Sequence, residues 1–356
     1  MPFADTFALS RYETWELDAL VAQIERPNPW LLRTFFPNER MFATRSIEFD
    51  IIDRGRRLAP FVSPLVAGRP MKREGFRTKQ LAPAYIKPAD LVVPQESFTR
   101  MPGEAYGGRL TPQARFDRLV VEKLDLHIET IDNTMEWMAA QALVKGGIVI
   151  EGEDYPRTFV DFGRDPALNI SLVGAAKWAK PTSNPLQTIE DASILTRKIS
   201  KGAVVTDLIM DGATWNVLKQ HASIQDMTNT FFRRHLPGQQ ETAIDMGPRN
   251  NINEAVYVGT LSGRFDMWVY DAFYLDDTGA DQPYLPPFTL LGIARGAIEG
   301  TQYYGAILDL DASIGPRKMF TKSERKFNPS GVEIVTQSAP LVAPKRPNAM
   351  FTIVVD

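Results

Sequence analysis

The chain has 356 residues, a formal net charge of −3 and no cysteine. This length predicts at least two lobes, and shares of 44% hydrophobic and 23% charged residues exclude wholesale disorder. The slightly acidic balance argues against dedicated nucleic-acid binding. The missing cysteines exclude disulfide bonds and thiolate metal sites, as suits a reducing cytoplasm. No run of about 18 uncharged apolar residues occurs, so the sequence predicts neither a membrane span nor a membrane partner.

Residues 1–36 are predicted to form a terminal arm. A short amphipathic helix is expected first, ending at Pro27 and Pro29. The bulky apolar run WLLRTFF follows at 30–36. Packing of this run on its own domain is the more frequent outcome for such a segment, and docking on another chain is the alternative.

The chain from Arg40 to about Gly108 is predicted to be extended. Strand-like alternation at 46–54 is followed by prolines at 60, 64, 70, 83, 88, 94 and 102, and proline in a sheet is confined to edges. A projecting hairpin or loop is therefore expected. Between residues 54 and 79 the loop carries eight Lys or Arg and one Glu.

A long helix is predicted over 112–145. Thr111 is a suitable N-cap, Pro112 occupies the first helical position and Gly146 ends the helix. Apolar residues recur at helical spacing on one side, and acids lie on the other. A solvated surface is the ordinary interpretation of such an acidic side.

The remaining segments predict an α+β fold. A hairpin over 148–161 follows the long helix, and 187–325 alternates helices and strands in a compact region. Two C-terminal strands are expected to pair with the hairpin at 148–161.

No catalytic, cofactor-binding or metal-binding residues are predicted. The three histidines lie far apart in the sequence without metal-ligand spacing, and His127 is expected at the surface. Nucleotide-binding glycine loops and nucleophile elbows do not occur. An enzyme is thus possible but without support.

A series of short motifs resembles one family. FVSPLVAG at 61–68, PAYIKP at 83–88, VDFG at 160–163, NIS at 169–171 and IVTQSAPLV at 334–342 follow one another over most of the chain. In order and spacing they resemble the major capsid proteins of lambda-like tailed bacteriophages, which have the Hong Kong 97-type capsid fold.

The resemblance implies an architecture. It assigns 1–39 to an N-terminal arm, 40–109 to the extended loop, 110–186 and 326–356 to a peripheral domain with spine helix 112–145, and 187–325 to an axial domain. It further implies a non-enzymatic structural protein that assembles with copies of itself, as pentamers and hexamers, into an icosahedral head.

Contacts between subunits are expected in two groups. Basic loop residues are expected to face acids on the spine helix of an adjacent chain, and apolar residues of the arm and loop are expected to supply affinity. The basic group is Arg69, Lys72, Arg73, Arg77 and Lys79; the acidic group is Glu122, Asp125, Glu129 and Glu136; the apolar group includes Trp15, Trp30, Phe35, Phe36 and Phe61.

The further partners implied are a separate scaffolding protein, a portal, a possible decoration protein and packaged double-stranded DNA bound without sequence specificity. The expected location is the virion capsid, with assembly in the host cytoplasm. The alternative function is a DNA-binding protein that uses the basic segment 54–79.

Overall fold

The structure is a computed structural model that describes residues 29–44, 46–52, 59, 61, 76–81, 83–99, 110–152, 155–221, 224, 255–276, 278–312 and 315–356. The helices are α1 (Trp30–Phe35), α2 (Pro94–Ser97), α3 (Pro112–Lys145), α4 (Pro185–Ile199), α5 (Gly212–Gln220) and α6 (Arg295–Ile298). The strands are β1 (Asn38–Met41), β2 (Ile47–Ile52), β3 (Phe76–Leu81), β4 (Ala89–Val92), β5 (Gly147–Gly152), β6 (Tyr155–Asp161), β7 (Asn169–Ser171), β8 (Asp207–Met210), β9 (Ala255–Leu261), β10 (Phe265–Tyr270), β11 (Phe273–Leu275), β12 (Asp281–Pro283), β13 (Thr289–Ile293), β14 (Gly300–Tyr304), β15 (Phe320–Lys326), β16 (Gly331–Gln337), β17 (Pro340–Pro344) and β18 (Met350–Val354).

Helix α3 begins and ends at the residues that the sequence predicts. The Thr111 hydroxyl accepts a hydrogen bond from the amide of Ala114 at 3.2 Å, and Pro112 occupies the first turn. Gly146 ends the helix with a φ of 69°, a left-handed conformation that glycine adopts without a steric penalty. At 34 residues, α3 is a rod about 50 Å long.

The largest sheet has six strands in the order β7-β18-β13-β8-β10-β9. Successive residues of β8 and β13 point to opposite faces of the sheet and are buried on both faces. Ile209 and Leu291 belong to one hydrophobic cluster, the α3-side core, which α1 and α3 also line. Leu208, Met210 and Leu290 belong to a second cluster, the α4-side core, which α4 and α5 line. The sheet therefore separates α3 from α4.

The segment predicted to form the extended loop contains the antiparallel pair β2–β3. Ile47 lies opposite Leu81 and Ile52 lies opposite Phe76, and among the described strands these two pair only with each other. The hairpin expected in this region is thus confirmed over its described part. At the two ends of the predicted loop 40–109, β1 pairs with β14 and β4 pairs with β16; the bounds of the loop stay a prediction.

The pairing expected for the C-terminal strands is wrong. β5 and β6 form a two-stranded sheet with each other. β16 lies between β15 and β4, β17 pairs with β14, and β18 lies between β13 and β7. A position inside the six-stranded sheet suits β18, because Met350 lies in the α3-side core while Phe351 and Ile353 lie in the α4-side core. The segments 187–325 and 326–356 therefore share a sheet. The division of the chain into a peripheral and an axial domain stays a prediction.

Candidate subunit-interaction surface

An acidic surface lies on the N-terminal half of α3. Glu122, Asp125 and Glu129 are exposed, and their spacing of three and four residues places them on one side of the helix. We call these three residues the acidic face. Lys123 lies beside it and its ammonium is 3.5 Å from a carboxylate oxygen of Asp90 on β4.

Glu136 does not belong to the acidic face, and its expected role at a subunit contact is wrong. Its side chain is 2% exposed. Its carboxylate accepts hydrogen bonds from the amides of Leu31 and Leu32, at 2.7 and 2.8 Å, and from the Tyr270 hydroxyl at 2.8 Å. The first amides of a helix have no partner inside it, so this carboxylate satisfies the N-terminus of α1 and fastens α1 to α3.

The apolar run at 30–36, within the predicted arm, packs on its own chain. The Trp30 ring stacks on Tyr270 with centroids 5.6 Å apart, and Phe35 meets Trp30 edge-on at 5.7 Å. Phe36 is also buried, and its carbonyl accepts a hydrogen bond from Gln302 at 2.7 Å. For Trp30, Phe35 and Phe36 the alternative of docking on another chain is therefore wrong, since a single subunit already covers these side chains.

The remaining apolar contact residues stay predictions. Phe61 is 105% exposed relative to its reference area, so its side chain makes almost no contact within the subunit. Trp15 lies outside the described residues.

The structure describes two of the five basic loop residues. Arg77 and Lys79 lie in β3, where their backbones are opposite Ile51 and Phe49 of β2. Arg69, Lys72 and Arg73 lie outside the described residues. The pairing of this group with acids of an adjacent chain stays a prediction.

His127 is buried, so the expectation of a surface histidine is wrong. Its Nδ1 lies 3.0 Å from the Thr336 hydroxyl and its Nε2 lies 3.1 Å from a carboxylate oxygen of Asp90. Burial lowers the pKa of His127, and the hydrogen bond that its ring donates to the Asp90 carboxylate offsets only part of that effect. The imidazole joins α3 to β4 and β16, where the chain returns from the extended loop.

A second polar cluster holds the returning chain at Tyr85. The Tyr85 hydroxyl donates to Gln337 at 2.5 Å, and Gln337 donates to Asp309 at 2.7 Å. The ammonium of Lys322 lies 2.6 Å from the same carboxylate oxygen of Asp309. Burial acts to raise the pKa of Asp309, but hydrogen bonds from Lys322 and Gln337 outweigh it and hold that pKa below its usual value.

Sequence reasoning missed the roles of Glu136, His127 and Asp309. For Glu136 a signal was present: Ile128, Asp132, Glu136 and Ala140 follow one another at intervals of four, so they lie on one side of α3, and all are buried. An acid placed in an apolar ridge of a helix indicates a buried partner. His127 and Asp309 have no comparable signal, because their partners come from distant segments.

The described residues contain no group of three or more His, Asp or Glu side chains placed to hold a metal ion. Within the same residues, no helix combines the length and apolar content needed to cross a bilayer.

Comparisons with known proteins agree with this arrangement. The family model described as phage major capsid protein E matches residues 13–355. The major capsid protein of Escherichia phage lambda is 26% identical over 349 residues, covering 97% of this chain and 99% of the lambda protein. The major capsid protein of Enterobacteria phage P21 is 28% identical over 331 residues, covering 90% and 92% respectively.

The fold has a solved counterpart. A crystal structure of a prophage protein from E. coli CFT073, assigned as a capsid protein, superposes with a TM-score of 0.72 at 22% identity and covers 96% of this chain and 99% of the other. The expected α+β, Hong Kong 97-type capsid fold is thereby confirmed. The named relatives are structural proteins and not enzymes. Since the family model spans nearly the whole sequence, the chain belongs to the phage major capsid protein E family.

Proposed function

We propose that this capsid protein assembles with copies of itself, as pentamers and hexamers, into an icosahedral head that encloses double-stranded phage DNA. The observation that carries the proposal is the β2–β3 hairpin: it has no other strand partner among the described residues, and Phe61 beyond it is fully exposed. A hairpin of two strands is marginally stable alone. A neighbouring copy is the surface that completes it.

In this proposal the loop lies across the acidic face of the neighbouring subunit. The segment 54–79 of the loop, which has eight Lys or Arg and one Glu, faces Glu122, Asp125 and Glu129 of the neighbour, which are exposed in the subunit. Each exposed pair contributes only about 0–1 kcal/mol. The charges therefore set the register of the loop more than its affinity, and apolar residues such as Phe61 provide the buried area.

The domain outline gives each part a place in the head. The axial domain, with most strands of the six-stranded sheet, meets its copies around five-fold and six-fold centres. The peripheral domain with α3 receives the loop of the neighbour. A separate scaffolding protein, a portal and possible decoration protein are the further partners, and assembly takes place in the host cytoplasm. The net charge of −3 suits an inner wall that neutralises few phosphates. The alternative of a dedicated DNA-binding protein is not supported.

The first experiment is size-exclusion chromatography of the expressed protein followed by negative-stain microscopy. Closed particles in the megadalton range are expected. A small oligomer that binds duplex DNA with a steep salt dependence would contradict the proposal.

Charge reversal tests the loop contact. The triple variant Arg69→Glu, Lys72→Glu, Arg73→Glu is expected to lower the particle yield about tenfold, because three pairs at about 0.5 kcal/mol each amount to roughly 1.5 kcal/mol per contact. The matched control reverses three other cations, Arg157, Lys180 and Arg325, which are exposed and lie outside the loop. Reversal of Glu122, Asp125 and Glu129 to Lys in the triple variant is expected to restore the yield. Normal assembly of the triple variant in moderate salt would refute the contact.

A further inference from the structure

The hairpin β11–β12 carries large apolar side chains on its outer side. Phe273 is 62% exposed and Leu275 is 70% exposed, and their spacing of two residues places them on the same side of the strand. Tyr274 between them points the other way, with its ring 5.1 Å from Tyr284 in the α3-side core. Single exposed apolar residues are ordinary, but two large neighbours on one side of a hairpin indicate a contact surface.

The turn of this hairpin is held in one conformation by Asp276. Its carboxylate accepts hydrogen bonds from the Thr278 hydroxyl at 2.6 Å and from the amides of Thr278 and Ala280 at 2.9 and 3.0 Å. The hydrogen bond from the Thr278 hydroxyl is the main cause that lowers the pKa of Asp276 to about 2, so the turn is negatively charged at neutral pH. Asp281 is exposed opposite Leu275. We call Phe273, Leu275, Asp276 and Asp281 the hairpin ridge.

The last turn of helix α4 carries cations beside an exposed apolar residue, while Glu190 and Asp191 lie on the same side one turn earlier. Ile194 is 61% exposed. Arg197 and Lys198 follow it by three and four residues, are also exposed, and so share its side of the helix. Both cations lie in the last turn, where the helix dipole favours positive charge. We call these three residues the α4 patch.

The hairpin ridge and the α4 patch lie on opposite sides of the six-stranded sheet. Tyr284, on which the hairpin packs, belongs to the α3-side core, whereas Ile189 and Ala192 of α4 belong to the α4-side core. The sheet therefore prevents the two surfaces from meeting within one chain. A contact between them joins two copies through different surfaces, and repetition of such a contact closes into a ring when the rotation permits.

We propose that the hairpin ridge of one copy docks on the α4 patch of the next copy around each pentamer and hexamer. Phe273 and Leu275 cover Ile194, and Asp276 and Asp281 face Arg197 and Lys198. The complementary charges set the orientation, and the apolar centre excludes water. This inference rests on the proposed function and adds the pair of surfaces that makes the ring.

Cysteine cross-linking tests the contact directly, because the natural chain has no cysteine. The double variant Ile194→Cys, Leu275→Cys is assembled into particles, treated with a short bismaleimide and run on a denaturing gel. A ladder that ends at pentamer and hexamer is expected. Co-assembly of the two single-cysteine chains is expected to stop at dimers, since each chain then holds one half of the contact. The matched control pairs Leu275→Cys with Leu310→Cys, which is exposed but lies outside the α4 patch, and no ladder is expected.

Charge exchange provides a second readout that does not need cross-linking. The variant Arg197→Asp, Lys198→Asp is expected to lower the particle yield about tenfold, and the added change Asp281→Lys is expected to recover most of it. Particles of normal yield with no ladder and no effect of the reversal would overturn this inference alone. Absence of particles from the unmodified chain would instead overturn the proposed function.

Discussion

Replacement of Glu136 tests the anchoring of α1, which lies within the predicted arm. Glu136→Ala removes the acceptor for the amides of Leu31 and Leu32 and for the Tyr270 hydroxyl, at 2.7, 2.8 and 2.8 Å. Each buried donor left without a partner costs about 1–3 kcal/mol. The three donors share one carboxylate, so their costs are not additive, and a total loss of about 3–5 kcal/mol is expected.

Chemical denaturation followed by Trp fluorescence measures this loss, because Trp30 and Trp268 pack together at 5.3 Å beside the anchor. The variant is expected to unfold at a lower denaturant concentration, and Glu136→Gln is expected to fall between it and the natural chain because one carbonyl oxygen remains. Glu129→Ala is the matched control, since Glu129 is an exposed acid on the same helix and surface changes usually stay within about 0.5 kcal/mol. Equal midpoints for Glu136→Ala and Glu129→Ala would refute the anchoring role.

Three further predictions concern the buried groups around the loop and α1. Because the pKa of His127 is lowered, the unfolded state binds more protons near neutrality than the folded state, and folding stability is expected to fall as pH drops below about 6.5. The variant His127→Gln shows how much stability is lost to the acidic residues alone. Equal pH profiles of the two chains would contradict the role of His127. Lys322→Met is expected to lower the unfolding free energy by about 1–3 kcal/mol. Because the pKa of Asp309 is lowered, the difference in stability between the variant and the natural chain is expected to disappear as acid protonates that carboxylate. A stability difference that persists in acid would count against the Lys322–Asp309 ion pair. Gly300→Ala places a Cβ against the Phe35 carbonyl oxygen and is expected to lower the unfolding free energy by about 1–3 kcal/mol, measured by thermal melting. Gly296→Ala is the control and is expected to be neutral, because its Cβ meets nothing within 4 Å. Similar melting of the two variants would show that α1 is not packed on β14.

Local signals explain why α3 was predictable to the residue. Thr111, Pro112 and Gly146 act on the backbone within one turn of each helix end, so their effect does not depend on the rest of the chain. The hairpin at β2–β3 was predictable for the same reason, because alternation and proline spacing are local properties.

Partners far apart in the sequence explain what was missed. Glu136 meets amides 105 and 104 positions away, and β18 pairs with β13 and β7, although its composition suits any buried strand. An acid on a helix and an apolar strand each have several compatible partners. The choice among them depends on the topology of the whole fold, which no short window of sequence contains.

Contacts within the subunit hold both ends of the loop, and we call these contacts the clamps. They affect how readily the subunit assembles. Where the loop begins, β1 pairs with β14 and Glu39 lies 2.5 Å from the Lys318 ammonium. Where it returns, Tyr85 is held through Gln337, and Asp90 is held by His127. A loop fixed at both ends loses less conformational entropy on docking than a free segment of equal length. More of the modest energy of its charge pairs then remains to favour assembly, so loosening either clamp is expected to weaken the shell even when every residue at the contact is intact.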